Sequence, residues 1–250
     1  MERGLFGPPS APPVPPPDRR KLSDFADPYQ AFYWLGYFVK NLSIREAPPE
    51  PPEPRKQPLC DTAEFCVFDT ETSGLSAKDV AIQCAVGFFS ADGKPMGFYD
   101  RLWKLPKGTR INYGSYKIHG ISEKKLEEDG YDAALEIRSV LKMFQRMRER
   151  GKRIVAHNAS FDCRMLAQTA RQHGVDGWDI TTADMFCTMQ NSKPRCGLVS
   201  EKTGRPKAPS NAELYKILTG TAPSGALHDA LVDIKVTGRS FVEGQKRGWW

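Results

Sequence analysis

The sequence has little of what zinc-binding, secreted or membrane-spanning proteins require. Its six cysteines are scattered without a CxxC pair and only four histidines accompany them, so a zinc site is not indicated. We expect reduced, mostly buried thiols. No run of about 18 apolar residues could span a membrane, and the N-terminal residues lack the apolar core of a signal peptide. These absences favour a soluble, intracellular protein.

The length and charge of the chain limit its domain organisation and the kind of partner it binds. A chain of 250 residues accommodates one catalytic domain and a smaller segment. The net charge of +6 favours an anionic partner, but many proteins are as basic. Proline-rich tracts over 8–17 and 48–58 bury too little apolar surface to fold and are interpreted as linkers. The predicted division is an N-terminal segment over 1–58, a catalytic domain over 59–242 and a basic aromatic tail over 243–250.

Between the proline-rich tracts, the sequence predicts one aromatic helix over about 28–42. Asp27 is an N-cap candidate, Pro28 suits the first helical position and Gln30 completes the capping pattern. Aromatic side chains surround nearly the whole helix, which would be adhesive in water. The helix either packs onto the catalytic domain or docks to a partner protein or a membrane surface.

The rest of the chain predicts an α/β fold. Strands are predicted over 64–69, 80–90 and 97–105, and a hairpin turn joins the last two. The following pattern predicts helices and strands in alternation: a helix over 131–150, a strand over 153–157, a helix over 160–173, a strand over 180–186, and helices over 211–218 and 227–242. This order indicates a mixed sheet, an antiparallel meander plus parallel strands, flanked by helices.

Two acids end the first predicted strand. Asp69 and Glu71 stand two residues apart in the segment FDTETSG, residues 68–74, so their carboxylates project from one face. Adjacent carboxylates repel, and a divalent cation such as Mg²⁺ or Mn²⁺ relieves the repulsion. By itself this common pair is more often a solvated strand edge.

Two further acids and a histidine follow. Asp162 falls in a first helical turn, where an acid can also be a cap or dipole partner. Phe161 is expected to turn into the core and leave Asp162 facing the strand ends. His228 and Asp233 lie about 140° apart around a helix and cannot share one helical face. His228 is therefore expected on the loop or first turn, beside a site to which Asp233 points.

Together these segments are more specific than any one alone. Over roughly 62–242, the chain resembles the DEDD-type 3′-to-5′ exonucleases of the ribonuclease H-like fold. Segments 68–74, 158–162 and 228–233 look like the three motifs of that family. Asp229 stands where the tyrosine subclass has its tyrosine, so the histidine subclass fits, which includes the proofreading subunit of bacterial DNA polymerase III.

The resemblance implies two-metal-ion hydrolysis that releases nucleoside 5′-monophosphates. Two divalent cations, Mg²⁺ or Mn²⁺, would be bound by Asp69, Glu71, Asp162 and Asp233. His228 would take the proton from the attacking water as general base. These five residues form the predicted catalytic set.

Other segments are candidates for substrate contacts. Four residues at the end of the first motif would hold the terminal nucleotide: Thr72, Ser73, Gly74 and Leu75. His119, in a segment that looks like one near the substrate in the family, is either a nucleotide contact or a structural residue. The basic stretch 193–207 is either a solvated loop or a flap that follows phosphates. The tail is expected to be disordered.

The sequence leaves two candidate substrates, DNA and RNA. The primary prediction is cleavage from the 3′ end of DNA, and the alternative is RNA, because the family contains both. A non-catalytic nucleic-acid or protein binding module is a further alternative, which predicts the loss of at least one metal ligand. All four acids and the histidine are present. A proofreading role would require a protein partner, for which the helix over 28–42 is the candidate docking segment.

Overall fold

A computed structural model describes residues 58–224 and 228–250. The helix predicted over 28–42 lies outside these residues. The strands are β1 (Phe65–Thr72), β2 (Ala81–Phe89), β3 (Pro95–Leu102), β4 (Arg153–Ala156) and β5 (Met185–Cys187). The helices are α1 (Pro58–Thr62), α2 (Tyr113–His119), α3 (Glu123–Asp129), α4 (Ala133–Glu149), α5 (Ala159–Gln172), α6 (Thr188–Cys196), α7 (Asn211–Thr219) and α8 (Ala230–Lys246).

The strands form one five-stranded sheet in the order β3-β2-β1-β4-β5. The first three pair antiparallel, whereas β4 pairs parallel to β1 and β5 pairs parallel to β4. Every residue of the central strand β1 except Asp69 is buried. The prediction of a mixed sheet, an antiparallel meander plus parallel strands flanked by helices, is confirmed.

Alternate residues of β1 pack into two different cores. Phe68 packs with Phe144 of α4 at 4.8 Å between ring centroids. Phe65 faces the other way and packs with Phe241 of α8, also at 4.8 Å. Because side chains alternate along a strand, Asp69 continues the row that faces α8. Glu71 does the same, and α8 is the helix that carries Asp233 in its first turn.

Several predicted elements match and others were wrong in extent. The helix predicted over 131–150 is α4, which begins after the N-cap Asp132. The strand predicted over 180–186 is only Met185–Cys187, because Thr181 and Asp184 form a capping box that starts a 3₁₀ turn. The last helix begins at Ala230 rather than at residue 227 and continues to Lys246.

The sequence patterns did not predict α1, α2, α3 or α6. With 7 residues, α2 is too short to show a helical period in the sequence, and none of its residues is buried. Its signals are the caps alone, Asn112 at the start and Gly120 in the left-handed region at the end. Lys193 and Arg195, expected in a basic loop, lie instead in the last turn of α6.

Two expectations about packing were also wrong. Phe161 is half-buried rather than in the core, and the Arg164 guanidinium lies 5.3 Å from its ring centroid. The C-terminal residues, expected to be disordered, pack against the domain: Trp250 stacks near Phe241 and donates from Nε1 to the Phe241 carbonyl at 3.0 Å.

Four cysteines are buried, as most thiols were predicted to be: Cys60, Cys66, Cys84 and Cys163. Among the helices of the described ranges, none has the length and apolarity to cross a membrane.

Candidate active site

Three carboxylates meet where β1 ends. Asp69, Glu71 and Asp233 each present one oxygen, and these oxygens lie within 4.8 Å of one another. Glu71 and Asp233 are buried and Asp69 is half-buried. The alternation along β1 and the packing of α8 on the same face bring the three together, although 162 residues separate Glu71 from Asp233 in the chain.

Asp162 reaches β1 from α5, the helix that packs on the core of Phe68. It lies in the first turn of α5 and is 3% exposed. Its Oδ1 accepts hydrogen bonds from the backbone N–H of Thr70 at 3.2 Å and from the Thr70 hydroxyl at 2.8 Å. These bonds tie the Asp162 carboxylate to the strand between the two motif acids rather than leaving it as a surface helix cap.

Burial and mutual repulsion raise the pKa values of the acids. Burial, followed by the charges of Asp162, Glu71 and Asp233, raises the pKa of Asp69 well above its ordinary value. Burial and the neighbouring carboxylates raise the pKa of Glu71 to about 8. Burial also raises the pKa of Asp162, against the two hydrogen bonds from Thr70.

This donor set fits a divalent cation. These four carboxylates repel one another in a site where burial raises the pKa of each. Protons relieve the repulsion at low pH, and a cation relieves it near neutrality. Carboxylate oxygens are the ligands that Mg²⁺ and Mn²⁺ prefer.

The Asp233 carboxylate is held on both oxygens. Asn211, the first residue of α7, donates from Nδ2 to Asp233 Oδ1 at 3.1 Å, and the backbone N–H of His228 donates to Oδ2 at 2.8 Å. Asn211 is itself oriented by Thr237, whose hydroxyl donates to its Oδ1 at 3.1 Å. Sequence reasoning missed both Asn211 and Thr237, because their contacts depend on how α7 packs against α8.

His228 lies on the loop before α8, as predicted. Its side chain is exposed, and Asp229 follows as the N-cap of the helix. The His228 backbone has φ 71, the one positive φ of a non-glycine residue in the described ranges. This conformation is uncommon for residues with a Cβ, although histidine adopts it more readily than most. Burial raises the pKa of Asp233, and the hydrogen bond from the His228 backbone N–H opposes that shift. His228 and His119 line the same cavity.

The four residues predicted to hold the terminal nucleotide, here called the cradle (Thr72, Ser73, Gly74 and Leu75), are only partly open to solvent. The Thr72 hydroxyl donates to the Gly74 carbonyl at 2.9 Å, and the buried Ser73 hydroxyl donates to Asp79 at 3.0 Å. A Cβ at Gly74 would lie 2.5 Å from the Asp79 carboxylate, so that position is filled. Leu75 is 72% exposed and is the one of the four whose side chain faces solvent.

His119 uses both ring nitrogens within the protein. Its Nδ1 accepts from the backbone N–H of Ile121 at 3.0 Å, so Nε2 carries the proton and donates to the Thr72 carbonyl at 3.2 Å. Burial lowers the pKa of His119, which keeps the ring neutral. The ring therefore holds the turn after the acids, and its contact with a nucleotide stays a prediction.

A cavity of about 540 Å³ is lined by neighbours of the acids, although by none of the four acids themselves. Its lining includes His119, His228, Gln83, Arg101 and Tyr131. Gln83 pairs with Glu71 across β1 and β2, so the cavity continues the face of the sheet that carries the carboxylates. A volume of this size is in the range of small-molecule sites and is large enough for a nucleotide.

Comparison with known proteins gives the family. The family model described as Exonuclease, RNase_T, matches residues 66–241. This match spans more than half of the chain, and the chain belongs to that exonuclease family. No curated protein has a detectably similar sequence.

Solved structures share the fold at low sequence identity. Exonuclease I of E. coli, solved with a dT13 oligonucleotide, has a TM-score of 0.59 and 19% identity over 73% of this chain and 41% of that chain. Exonuclease I of Methylocaldum szegediense has a TM-score of 0.57 and 17% identity over 73% and 40%. The nuclease domain of 3′hExo, a DEDDh family member bound to rAMP, has a TM-score of 0.59 and 11% identity over 74% and 94%.

These comparisons confirm the predicted DEDD-type exonuclease family and the ribonuclease H-like fold. The chain spans about 40% of the length of the exonuclease I chains that it matches. The particular similarity to the proofreading subunit of DNA polymerase III stays a prediction.

Proposed function

We propose that this protein is a metal-dependent 3′-to-5′ exonuclease that releases nucleoside 5′-monophosphates from the 3′ end of DNA. The observation that carries the proposal is the convergence of Asp69, Glu71 and Asp233 within 4.8 Å, in a domain of the exonuclease family. Asp162, from α5, adds a fourth carboxylate, which lies close enough that burial and the Asp162 charge together raise the pKa of Asp69. A non-catalytic binding module would not need this set of repelling acids.

Each acid has a role that its position supports. Asp69, Glu71 and Asp233 would hold one divalent cation, and Asp69 with Asp162 would hold a second. When bound, such cations stabilise the developing charge on the phosphate and lower the pKa of the attacking water. Thr70 and Asn211 orient Asp162 and Asp233, so the ligand oxygens are fixed before a cation binds.

His228 is the proposed general base. Its backbone N–H is bonded to Asp233 at 2.8 Å, which fixes the residue beside the acids, while the exposed imidazole borders the cavity. A histidine in such a position takes a proton from the attacking water at a ring nitrogen and passes it to solvent.

A degradation assay tests this function directly. A 5′-labelled single-stranded DNA incubated with Mg²⁺ or Mn²⁺ should shorten stepwise from its 3′ end, and EDTA should stop the reaction. Released mononucleotides should carry their phosphate on the 5′ position. Full-length DNA and RNA after prolonged incubation with either cation would overturn the proposal.

RNA is the second candidate substrate, and two matched structures favour it. The 3′hExo nuclease domain, solved with rAMP, is covered over 94% of its length, and another matched structure shows a 3′-exonuclease recognising a histone mRNA stem-loop. The exonuclease I structures with dA16 and dT13 favour DNA. DNA and RNA oligonucleotides of one sequence, compared by kcat/KM, decide between the two: the proposal expects at least a tenfold preference for DNA.

A further inference from the structure

The short helix α2 is tied at both ends to the residues that follow Glu71. The backbone N–H of Asn112, its N-cap, donates to the Ser73 carbonyl at 2.7 Å. At the other end, His119 Nε2 donates to the Thr72 carbonyl at 3.2 Å. The helix therefore lies beside the acid cluster in a fixed position, although it buries none of its own residues.

The side chains of α2 face solvent and are unusually apolar for such a helix. Tyr113 is 69% exposed, Tyr116 is 43% exposed and Ile118 is 58% exposed. A helix without buried residues is ordinarily polar all round, and large apolar side chains clustered on a surface mark a contact site. Leu75, 72% exposed, stands two residues after the Ser73 carbonyl that holds the start of α2.

The charge around these rings is positive. The Lys117 ammonium lies 5.1 Å from the centroid of the Tyr113 ring, one helical turn away. Residues 107–118 contain no acid and include Lys107 as well as Arg110, which is paired with Glu123 of α3 at 2.7 Å. Aromatic rings beside cations form the surface that single-stranded nucleic acids use, since bases stack on the rings and cations neutralise the phosphates.

We propose that Tyr113 and Tyr116 form a stacking platform for the single-stranded DNA immediately 5′ of the terminal nucleotide. Lys117 neutralises the backbone of the same segment. The two hydrogen bonds to Thr72 and Ser73 keep this platform in register with the acid cluster. The inference rests on the proposed function and adds to it a binding surface outside the acid cluster and the cradle after Glu71.

Two substrates separate the platform from the catalytic centre. The nitrophenyl ester of thymidine 5′-monophosphate contains only the terminal nucleotide, whereas a 12-nucleotide single-stranded DNA also reaches the platform. In the variant Tyr113→Ala/Tyr116→Ala, KM for the DNA should rise about tenfold, while its kcat and the turnover of the ester stay unchanged. Equal losses on both substrates, or no change on the DNA, would overturn the platform.

Two control variants sharpen the comparison. Tyr113→Phe/Tyr116→Phe keeps the rings and should retain the KM of the original protein, because stacking needs the ring and not the hydroxyl. Leu135→Ala removes an apolar side chain that is 48% exposed on α4, and it should have no effect. A loss in the phenylalanine variant equal to that in the alanine variant would assign the effect to the hydroxyls and contradict stacking.

Equilibrium binding keeps this inference testable if the proposed activity fails. The affinity for a 5′-fluorescein 12-nucleotide DNA, measured by fluorescence anisotropy with Ca²⁺ in place of Mg²⁺, should fall about tenfold in the alanine variant. Absence of turnover on either substrate in the unmodified protein counts against the exonuclease. An unchanged DNA affinity in the alanine variant counts against the platform alone.

Discussion

The acid cluster, or centre (Asp69, Glu71, Asp162 and Asp233), and the rim of the site (His228 and α2) are built in opposite ways. Glu71, Asp162 and Asp233 are buried by the sheet and by two long helices. Asp162 and Asp233 are each held by a hydrogen bond from a residue far away in the chain. His228 and α2 are exposed and are held by a few hydrogen bonds to backbone groups near the acids. In the proposed mechanism, the centre holds the cations, whereas the rim supplies the general base and receives the strand.

The largest expected effect is at the centre. Asp69→Asn removes one shared ligand, and we expect nuclease activity to fall roughly a thousandfold, in line with the loss of one preorganised electrostatic group. The same change removes a repelling charge, so the melting temperature in EDTA at pH 8 should not fall. Glu127→Gln, on the exposed face of α3, is the matched control. Retention of a tenth of the activity would contradict the role of Asp69.

His228 tests whether the rim can also carry chemistry. Replacing the imidazole in His228→Asn should lower kcat about a hundredfold, and the cation concentration for half-maximal activity should stay the same. Asparagine tolerates the positive φ of 71, so it separates the loss of the base from backbone strain, which His228→Ala adds. Full activity in His228→Asn would show that the proton goes elsewhere.

Asn211 tests how firmly the centre is preorganised. Asn211→Ala removes the donor to Asp233 Oδ1, and we expect the cation concentration for half-maximal activity to rise about tenfold. Asn191→Ala, which removes an exposed amide bonded to the Cys187 carbonyl at 2.8 Å, should leave that concentration unchanged. Equal effects of the two substitutions would mean that Asn211 supports the fold and not the ligand.

The pH dependence of stability is a smaller effect with a defined sign. The pKa of Glu71 is raised from 4.5 to about 8, so the folded state holds a proton that the unfolded chain releases. This contribution to stability is complete below pH 4.5 and is lost as pH rises through 8. The metal-free protein should therefore melt about 3 °C or more lower at pH 8.5 than at pH 5.5. Glu71→Gln should flatten this slope; a slope of the same size in the variant would assign it to other groups.

The smallest expected effect on catalysis concerns the N-terminal segment. Deletion of residues 1–57 should leave nuclease activity unchanged, because Leu59 of α1 packs against the core and is retained. We propose that the helix predicted over 28–42 binds a protein partner, and the deletion should then abolish co-purification of that partner. Intact co-purification would contradict this assignment.

The sequence predicted the centre better than the rim, and β1 explains why. Its period of two places Asp69 and Glu71 in the row of Phe65, so local pattern and burial agree. Asp162 and Asp233 were predictable from the first turns of periodic helices. The caps Asn112 and Gly120 were the only signals of α2, and such signals are weak without an apolar stripe. The bond from Asn211 to Asp233 depends on packing that no local pattern encodes.

The turn at Gly74 links two positions that change together. Asp79 fills the space that a Cβ at Gly74 would need, and it also binds Ser73 and the backbone of Ser76. Alanine at position 74 would displace the Asp79 carboxylate and release the loop that carries Leu75. In a library of variants, we therefore expect positions 74 and 79 to covary, with a larger residue at 74 tolerated only when a smaller one occupies 79.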